Sequence, residues 1–191
     1  MLVQPQKWRV NLFARQLFEG AVIAYPTEGV WGLGCLPGLE EPVTRILRLK
    51  RRSWKKGLIL VASRIEQILP YSDELTAEEL AVLKIEWPGS VTYLLPRSKN
   101  VPDLIAGDSD RVAVRVSKHA VVKAICDELG GPMVSTSANP TGKIPAGSKL
   151  RLKQYFPSGI DAIFPGELGT LKGASEIRDL RTGEVIRAAA L

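Results

Sequence analysis

The 191-residue chain has one histidine, two cysteines and few aromatic side chains, 6% in all. A lone histidine excludes a two-histidine metal site of the HExxH kind and a Cys2His2 finger. Cys35 and Cys126 stand far apart with no CxxC, so they read as reduced, half-buried thiols. No GxSxG occurs, which leaves a serine hydrolase resting on His119 alone. A Walker A loop is missing as well: Gly142-Lys143 is followed by Ile144, and Ser137 takes the place of the first glycine. The longest apolar stretches, such as 57–62, are strand-sized and too short to cross a bilayer. The first ten residues lack the apolar run of a signal peptide. Neither secretion nor membrane insertion is expected from this reading, and a cytoplasmic protein is.

What is present fits one globular domain spanning 1–191. Apolar residues make up 45% and charged residues 24%, enough to bury a core unaided. Lys and Arg number 26 against 20 Asp and Glu, a net charge of +6. Much of the excess is local: between Val43 and Arg64 the chain carries eight basic residues and no acid. Such a block either builds a positive field that draws phosphates or forms a solvated helix face.

Strand-like runs cover 21–25, 30–35, 58–62, 91–95, 112–116, 133–135, 160–164 and 184–187. Leu12, Leu17 and Phe18 mark an early amphipathic helix, and Pro42 suits the first turn of another. Ser63-Arg64-Ile65-Glu66 and Thr76-Ala77-Glu78-Glu79 read as capping boxes. A further helix runs from His119 to Leu129 and stops at Gly130-Gly131. Beyond Leu150 the chain turns glycine-rich, which predicts loops and a final hairpin. The pattern is that of a layered α/β domain of the α+β type.

Four constellations could carry chemistry. Val43, Ile46, Leu47 and Lys50 recur at helical spacing, placing Lys50 on the buried stripe, where it either snorkels outward or enters a polar pocket. Arg45, Arg48 and Arg52 are expected on another face. The run 132–142 leads a short apolar strand into Ser135, Thr136, Ser137 and Asn139, a phosphate-binding loop or an ordinary turn. Tyr25-Pro26-Thr27-Glu28-Gly29-Val30-Trp31-Gly32-Leu33-Gly34 has glycines spaced GxxGxG and enters a strand, so it is no dinucleotide fingerprint. Thr27 and Glu28 are either a substrate-facing pair or a tight hairpin. In 111–116, strict alternation puts Arg111, Ala113 and Arg115 on one sheet face, suited to a carboxylate or phosphate or simply exposed.

Six segments, taken in order, resemble the YrdC/TsaC family: Tyr25-Pro26-Thr27-Glu28 with Gly32-Leu33, Lys50-Arg51-Arg52, Trp87-Pro88-Gly89-Ser90-Val91-Thr92, Ala113-Val114-Arg115, Ser135-Thr136-Ser137-Ala138-Asn139 and Ser175-Glu176-Ile177-Arg178-Asp179. The resemblance covers about 21–187 and matches the short form of the family. It implies a large twisted mixed β-sheet flanked by helices around a central basic cavity. It further implies an L-threonylcarbamoyladenylate synthase, joining L-threonine, bicarbonate and ATP and releasing pyrophosphate, for threonylcarbamoyladenosine in tRNA. By that resemblance Lys50, Arg52, Ser137 and Asn139 line the cavity as the catalytic set. Thr27, Arg115 and Ser137 hold threonine. Lys50, Arg52, Lys56, Arg111, Ser135, Asn139, Ser175 and Arg187 lie along ATP. Magnesium arrives with the ATP phosphates, and no residue is assigned as a resident metal ligand. Partner proteins that transfer the threonylcarbamoyl group to tRNA are implied, and His119 is read as a helix-start residue. Gly29 and Trp31 depart from the family's usual hydroxylated and Tyr or Phe residues, and Lys56-Gly57 from a frequent Asn-Pro or Lys-Pro. The rival reading is a non-enzymatic RNA-binding or ribosome-maturation protein using the same basic residues. The acidic metal site of a riboflavin-pathway sugar-phosphate synthase, a related fold, has no counterpart.

Overall fold

The computed structural model describes residues 4–171 and 173–189. Nine strands form its sheet: β1 (Ile23–Pro26), β2 (Trp31–Gly34), β3 (Ile59–Ala62), β4 (Thr92–Pro96), β5 (Arg111–Val116), β6 (Met133–Ser137), β7 (Ala162–Ile163), β8 (Ile177–Asp179) and β9 (Val185–Arg187). Their spatial order is β7-β1-β2-β6-β3-β5-β4-β8-β9. The β1/β7, β3/β5 and β4/β8 pairs are parallel and the rest antiparallel, so the sheet is mixed. Around it lie α1 (Lys7–Phe18), α2 (Glu40–Lys50), α3 (Ala77–Glu86), the single turn α4 (Asp103–Ala106), α5 (Ala120–Leu129) and α6 (Lys149–Tyr155).

Side chains alternate across the sheet, and the two faces are treated differently. On one face Leu33, Leu60, Val112, Val114, Val134 and Leu95 join Val43, Ile46 and Leu47 of α2, Leu83 of α3 and Leu152 of α6 in the larger core. On the other, Ile23, Tyr25, Val61 and Met133 pack under α1 and α5 through Val10, Phe13, Leu17, Val122 and Ile125. Those two helices cover only part of that face. Where they stop, register aligns Gly32 with Ser137, Ser135 with Ile59, Ile59 with Ala113, and Ala113 with Leu94. Glycine, serine and alanine leave a hollow there that larger residues would fill.

Several local expectations need correction. Leu12 and Phe18 are exposed (47% and 60%), because Val10, Phe13, Ala14 and Leu17 form the inward stripe of α1. Ser63 caps no helix. Its hydroxyl donates to Asp127 Oδ1 at 2.5 Å and lies 3.0 Å from Gln67 Oε1, and only a 3-10 turn follows. Thr76 does form the capping box with Glu79 that opens α3. The final hairpin exists as β8–β9, but α6 precedes it unannounced: Leu150 points outward and only Leu152 is buried, so no apolar period marks it. Both cysteines are fully buried, deeper than expected.

Candidate active site

The hollow is the mouth of a cavity of about 290 Å³. Its lining includes six cations (Arg52, Lys55, Lys56, Arg111, Arg115 and Arg187) and one carboxylate, Glu28. Burial and the neighbouring Arg115 and Arg52 lower the pKa of the Arg187 guanidinium, a sign that three guanidiniums converge on one volume. A site of this charge suits a polyanion.

The end of α2 shapes the basic side. Arg51 takes a left-handed conformation (φ 50, ψ 45), and its N–H and that of Arg52 bond back to Arg48 O and Leu47 O, each at 2.9 Å. This turn takes Arg52 off the helix axis, so it shares no face with Arg45 and Arg48. Arg45 reaches instead to Asp161 at 2.7 Å, while Arg52 donates to Gly57 O at 3.0 Å and Lys56 O at 3.1 Å beside the cavity. Two residues earlier Lys50 is 3% exposed on the buried stripe, and its amine enters a polar pocket. That pocket lies behind the cavity wall. The amine donates to Ser137 O, to Asn139 O at 2.9 Å and to Asn139 Oδ1 at 3.4 Å. Burial, and then Arg52, push it down to about 7. Ser137 Oγ donates to the same Asn139 Oδ1 at 2.7 Å, so Lys50 and Asn139 together pin the loop that presents Ser137.

Opposite stands the turn between β1 and β2. Thr27 N–H and Oγ1 both donate to Val30 O, at 3.2 and 2.7 Å, closing a tight hairpin that also faces the cavity. Glu28 accepts from Ser117 Oγ at 2.5 Å and lies 3.4 Å from Arg115 Nη2. Burial works to raise its pKa, but Arg115 and Ser117 outweigh that and hold it below the usual carboxylate value. A strap, residues 165–171 and 173–175, crosses this turn. Gly169 and Leu171 donate to Thr27 O and Glu28 O, both at 2.9 Å. Gly29 lies so close beneath that a Cβ there would overlap Gly173 O and come 2.8 Å from Leu171 O. The departure at Gly29 is thus required by the strap. Gly32 and Gly34, which mimic part of a nucleotide fingerprint, make room for the Tyr25 ring.

The remaining wall is the β8–β9 hairpin. Arg187 donates to Ser175 O at 2.7 Å, and the Ser175 and Thr92 hydroxyls lie 3.0 Å apart. Arg111 stands on β5 two residues from Ala113, paired with Asp110 at 3.6 Å and Asp179 at 3.9 Å.

Thr27, Arg52, Lys56, Arg111, Arg115, Ser135, Ser137, Ser175 and Arg187, drawn from across the chain, therefore line one cavity. Lys50 and Asn139 do not, which corrects their expected place: their polar atoms bond each other and Ser137. Lys55 and Glu28 also line the cavity and were not among the residues expected at the site. Lys55 was visible only as one member of the basic block, and Glu28 only through the open choice between a substrate-facing pair with Thr27 and a tight hairpin. The block itself disperses. Arg45, Lys55 and Arg64 pair with Asp161, Asp108 and Asp127, acids distant in sequence, while Arg52, Lys55 and Lys56 line the cavity. His119 opens α5, with Nε2 3.2 Å from Glu167 O, and burial lowers its pKa. Among the described residues no cluster of three metal-ligating side chains occurs, and no helix is long and apolar enough to cross a membrane.

A family model for the Sua5/YciO/YrdC domain, described as "Telomere recombination", matches residues 15–189. The chain belongs to the Sua5/YciO/YrdC family. Its relatives in that family include a threonylcarbamoyl-AMP synthase of Stutzerimonas stutzeri, 51% identical over 95% of this chain and 98% of the relative. A threonylcarbamoyl-AMP synthase of Nitrosococcus oceani is 48% identical over 94% and 97%. Among solved structures, P. abyssi Sua5 complexed with L-threonine superposes with a TM-score of 0.91 at 30% identity. That match covers 99% of this chain but spans only 56% of the Sua5 chain. E. coli YciO superposes at 0.88 with 25% identity, covering 99% and 93%.

Proposed function

We propose that this chain is an L-threonylcarbamoyladenylate synthase, making threonylcarbamoyl-AMP and pyrophosphate from L-threonine, bicarbonate and ATP. The observation that carries the reading is the convergence of six cations, two hydroxyl-bearing loops and one buried carboxylate on a single cavity, in a chain about half identical to synthases of the same length. Strands β2 to β6 and the β8–β9 hairpin contribute to that cavity, so the chain acts as one domain.

The chemistry needs two joining steps. Threonine's amine, freed of a proton, attacks the carbon of bicarbonate or CO₂ to give a carbamate, with water lost when bicarbonate is used. A carbamate oxygen then attacks the α-phosphorus of ATP, and the bond to the β-phosphate oxygen breaks to release pyrophosphate. Neither step needs a covalent enzyme intermediate. The site's task is to align two anions and offset their charge. Arg115 and Thr27 hold the threonine end, Arg115 through a guanidinium fork on the carboxylate. Arg52, Lys56, Arg111 and Arg187 face the phosphates, with Ser135, Ser137 and Ser175 as hydroxyl donors. Lys50 and Asn139 are positioning residues that fix Ser137. The one cavity carboxylate, Glu28, already faces Ser117 and Arg115, so magnesium enters as the substrate magnesium-ATP, held mainly by phosphates. The cytoplasm is the proposed location, with proteins that pass the threonylcarbamoyl group to tRNA as downstream partners.

The test is pyrophosphate release from magnesium-ATP, followed with a coupled pyrophosphatase. Release that requires both L-threonine and bicarbonate supports the reading. Threonine-independent turnover, or none alongside salt-sensitive RNA binding, would overturn it.

A further inference from the structure

Lys55 stands apart among the cations of the cavity. Arg52, Arg115 and Arg187 are held by groups of the site itself: Gly57 O, Glu28 and Ser175 O. The Lys55 amine instead lies 3.2 Å from Asp108 Oδ2, and Asp108 is not part of the lining. Both side chains are largely exposed, 64% and 52%. An ion pair in that setting is worth little, because water screens it and two mobile side chains must be held in one geometry. The backbone beneath is the opposite. Asp108 N–H donates to Lys55 O at 3.2 Å, and Leu58 N–H to Ile105 O at 2.8 Å. A Cβ on Gly107 would overlap Lys55 O, and one on Gly57 would come 2.8 Å from both Ala106 O and Ile105 O. The turn at 54–56 is therefore seated directly on the end of α4, and only the lysine's flexible stem is free to swing. Lys56 follows it in sequence and Arg111 lies three residues beyond Asp108, and both line the cavity as residues assigned above to the phosphates. One exposed carboxylate thus competes for Lys55 with a phosphate chain carrying several negative charges.

We propose that Lys55 is a further phosphate-binding residue, held by Asp108 and transferred to the phosphate chain when the nucleotide binds. Asp108 is its latch, a positioning residue that acts on the ligand only through the lysine. The latch rests on the synthase reading for the identity of the nucleotide, ATP. Lys55 gains one partner by giving up another, so the affinity it confers is the difference between the two pairings. Asp108 accordingly weakens nucleotide binding without touching the nucleotide.

The experiment is calorimetric titration of the full chain with magnesium-ATP and with magnesium-pyrophosphate, at about 0.15 M salt, where exposed charges more than about 8 Å apart are largely screened. Lys55→Ala should weaken magnesium-ATP binding roughly 10-fold, the low end for one charge-assisted hydrogen bond. Asp108→Asn should tighten it roughly 2- to 5-fold, the worth of an exposed ion pair. In the double variant the gain from Asp108→Asn should vanish, because it acts through the lysine. Lys55→Arg keeps the charge and should retain most of the affinity. Melting temperature should hold in all of these, since the N–H bond to Lys55 O is main-chain and survives each substitution. If Asp108→Asn does not fold, Asp108→Ser takes its place in the cycle. Unchanged affinity in Lys55→Ala overturns the proposal, and so does the absence of a gain in Asp108→Asn. A gain of the same size with and without Lys55 also overturns it, since that is only the field of one lost charge. The two readings fail separately. Threonine-dependent pyrophosphate release with an unchanged KM for ATP in Lys55→Ala sinks the latch and leaves the synthase. The full cycle on magnesium-pyrophosphate, with no threonine-dependent release by the wild type, keeps the latch and sinks the synthase.

Discussion

Lys50 illustrates how a buried charge can act without touching a ligand. Its amine bonds two carbonyls and an amide oxygen on the loop carrying Ser137, so removing it frees that loop while leaving the lining of the cavity chemically intact. Lys50→Met should cut turnover about 100-fold, as a misplacement of order 1 Å can, with a smaller change in ATP affinity than Arg187→Ala produces. Steady-state kinetics on both variants would check this. The same amine makes stability depend on pH. Its value falls from 10.5 unfolded to about 7 folded, so between those limits the unfolded chain holds a proton that the native chain lacks. Stability should therefore rise as pH climbs from about 7 toward 10.5, and Lys50→Met should flatten that rise in denaturant titrations. Helical spacing alone revealed that Lys50 points inward. That it stops behind the wall was not legible, because its partners are backbone oxygens 87 and 89 residues away, and backbone atoms leave no trace in residue identities.

Two short elements set the geometry of the site. At the end of α2, Arg51 adopts a left-handed conformation that a side chain tolerates at a cost of about 1–2 kcal/mol. Arg51→Gly should stabilise the protein by about 1 kcal/mol, visible as a higher denaturant midpoint, with turnover retained. Over the β1–β2 turn the strap leaves no room for a Cβ at residue 29. Gly29→Thr should destabilise by about 1–3 kcal/mol, as overpacking does, and raise the KM for threonine more than that for ATP. A melting curve and a two-substrate KM comparison would separate the two effects. Most strands were legible as short apolar runs, and β5 from its strict alternation. The strap was not, since glycine and proline punctuation predicts a loop but not where the loop lies. The helix spacing placed Arg52 beside Arg45 and Arg48, and only the left-handed turn at Arg51 parts them.

At the scale of the whole molecule, a net charge of +6 matters less than its placement. Arg45 and Arg64 pair with acids across the surface, whereas Arg52, Lys55, Lys56, Arg111, Arg115 and Arg187 line the cavity. Magnesium-ATP affinity should accordingly fall as salt is raised from about 0.05 to about 0.5 M, the range over which screening tightens from over 10 Å to a few Å. L-Threonine, a zwitterion without net charge, should respond less, and titrations at both salts would compare them. The sheet order carries one more consequence, for the protein's synthesis. The floor residues, from Gly32 to Ser137, lie on β2 to β6, while the hairpin that completes the cavity comes last in the described chain. β8 must travel back to pair beside β4, whose partner residues were made some eighty-five positions earlier, as with Thr92 and Ile177. A ribosome builds the floor of this cavity first and the hairpin wall last, so a chain cut short before the hairpin could assemble the floor and still lack that wall.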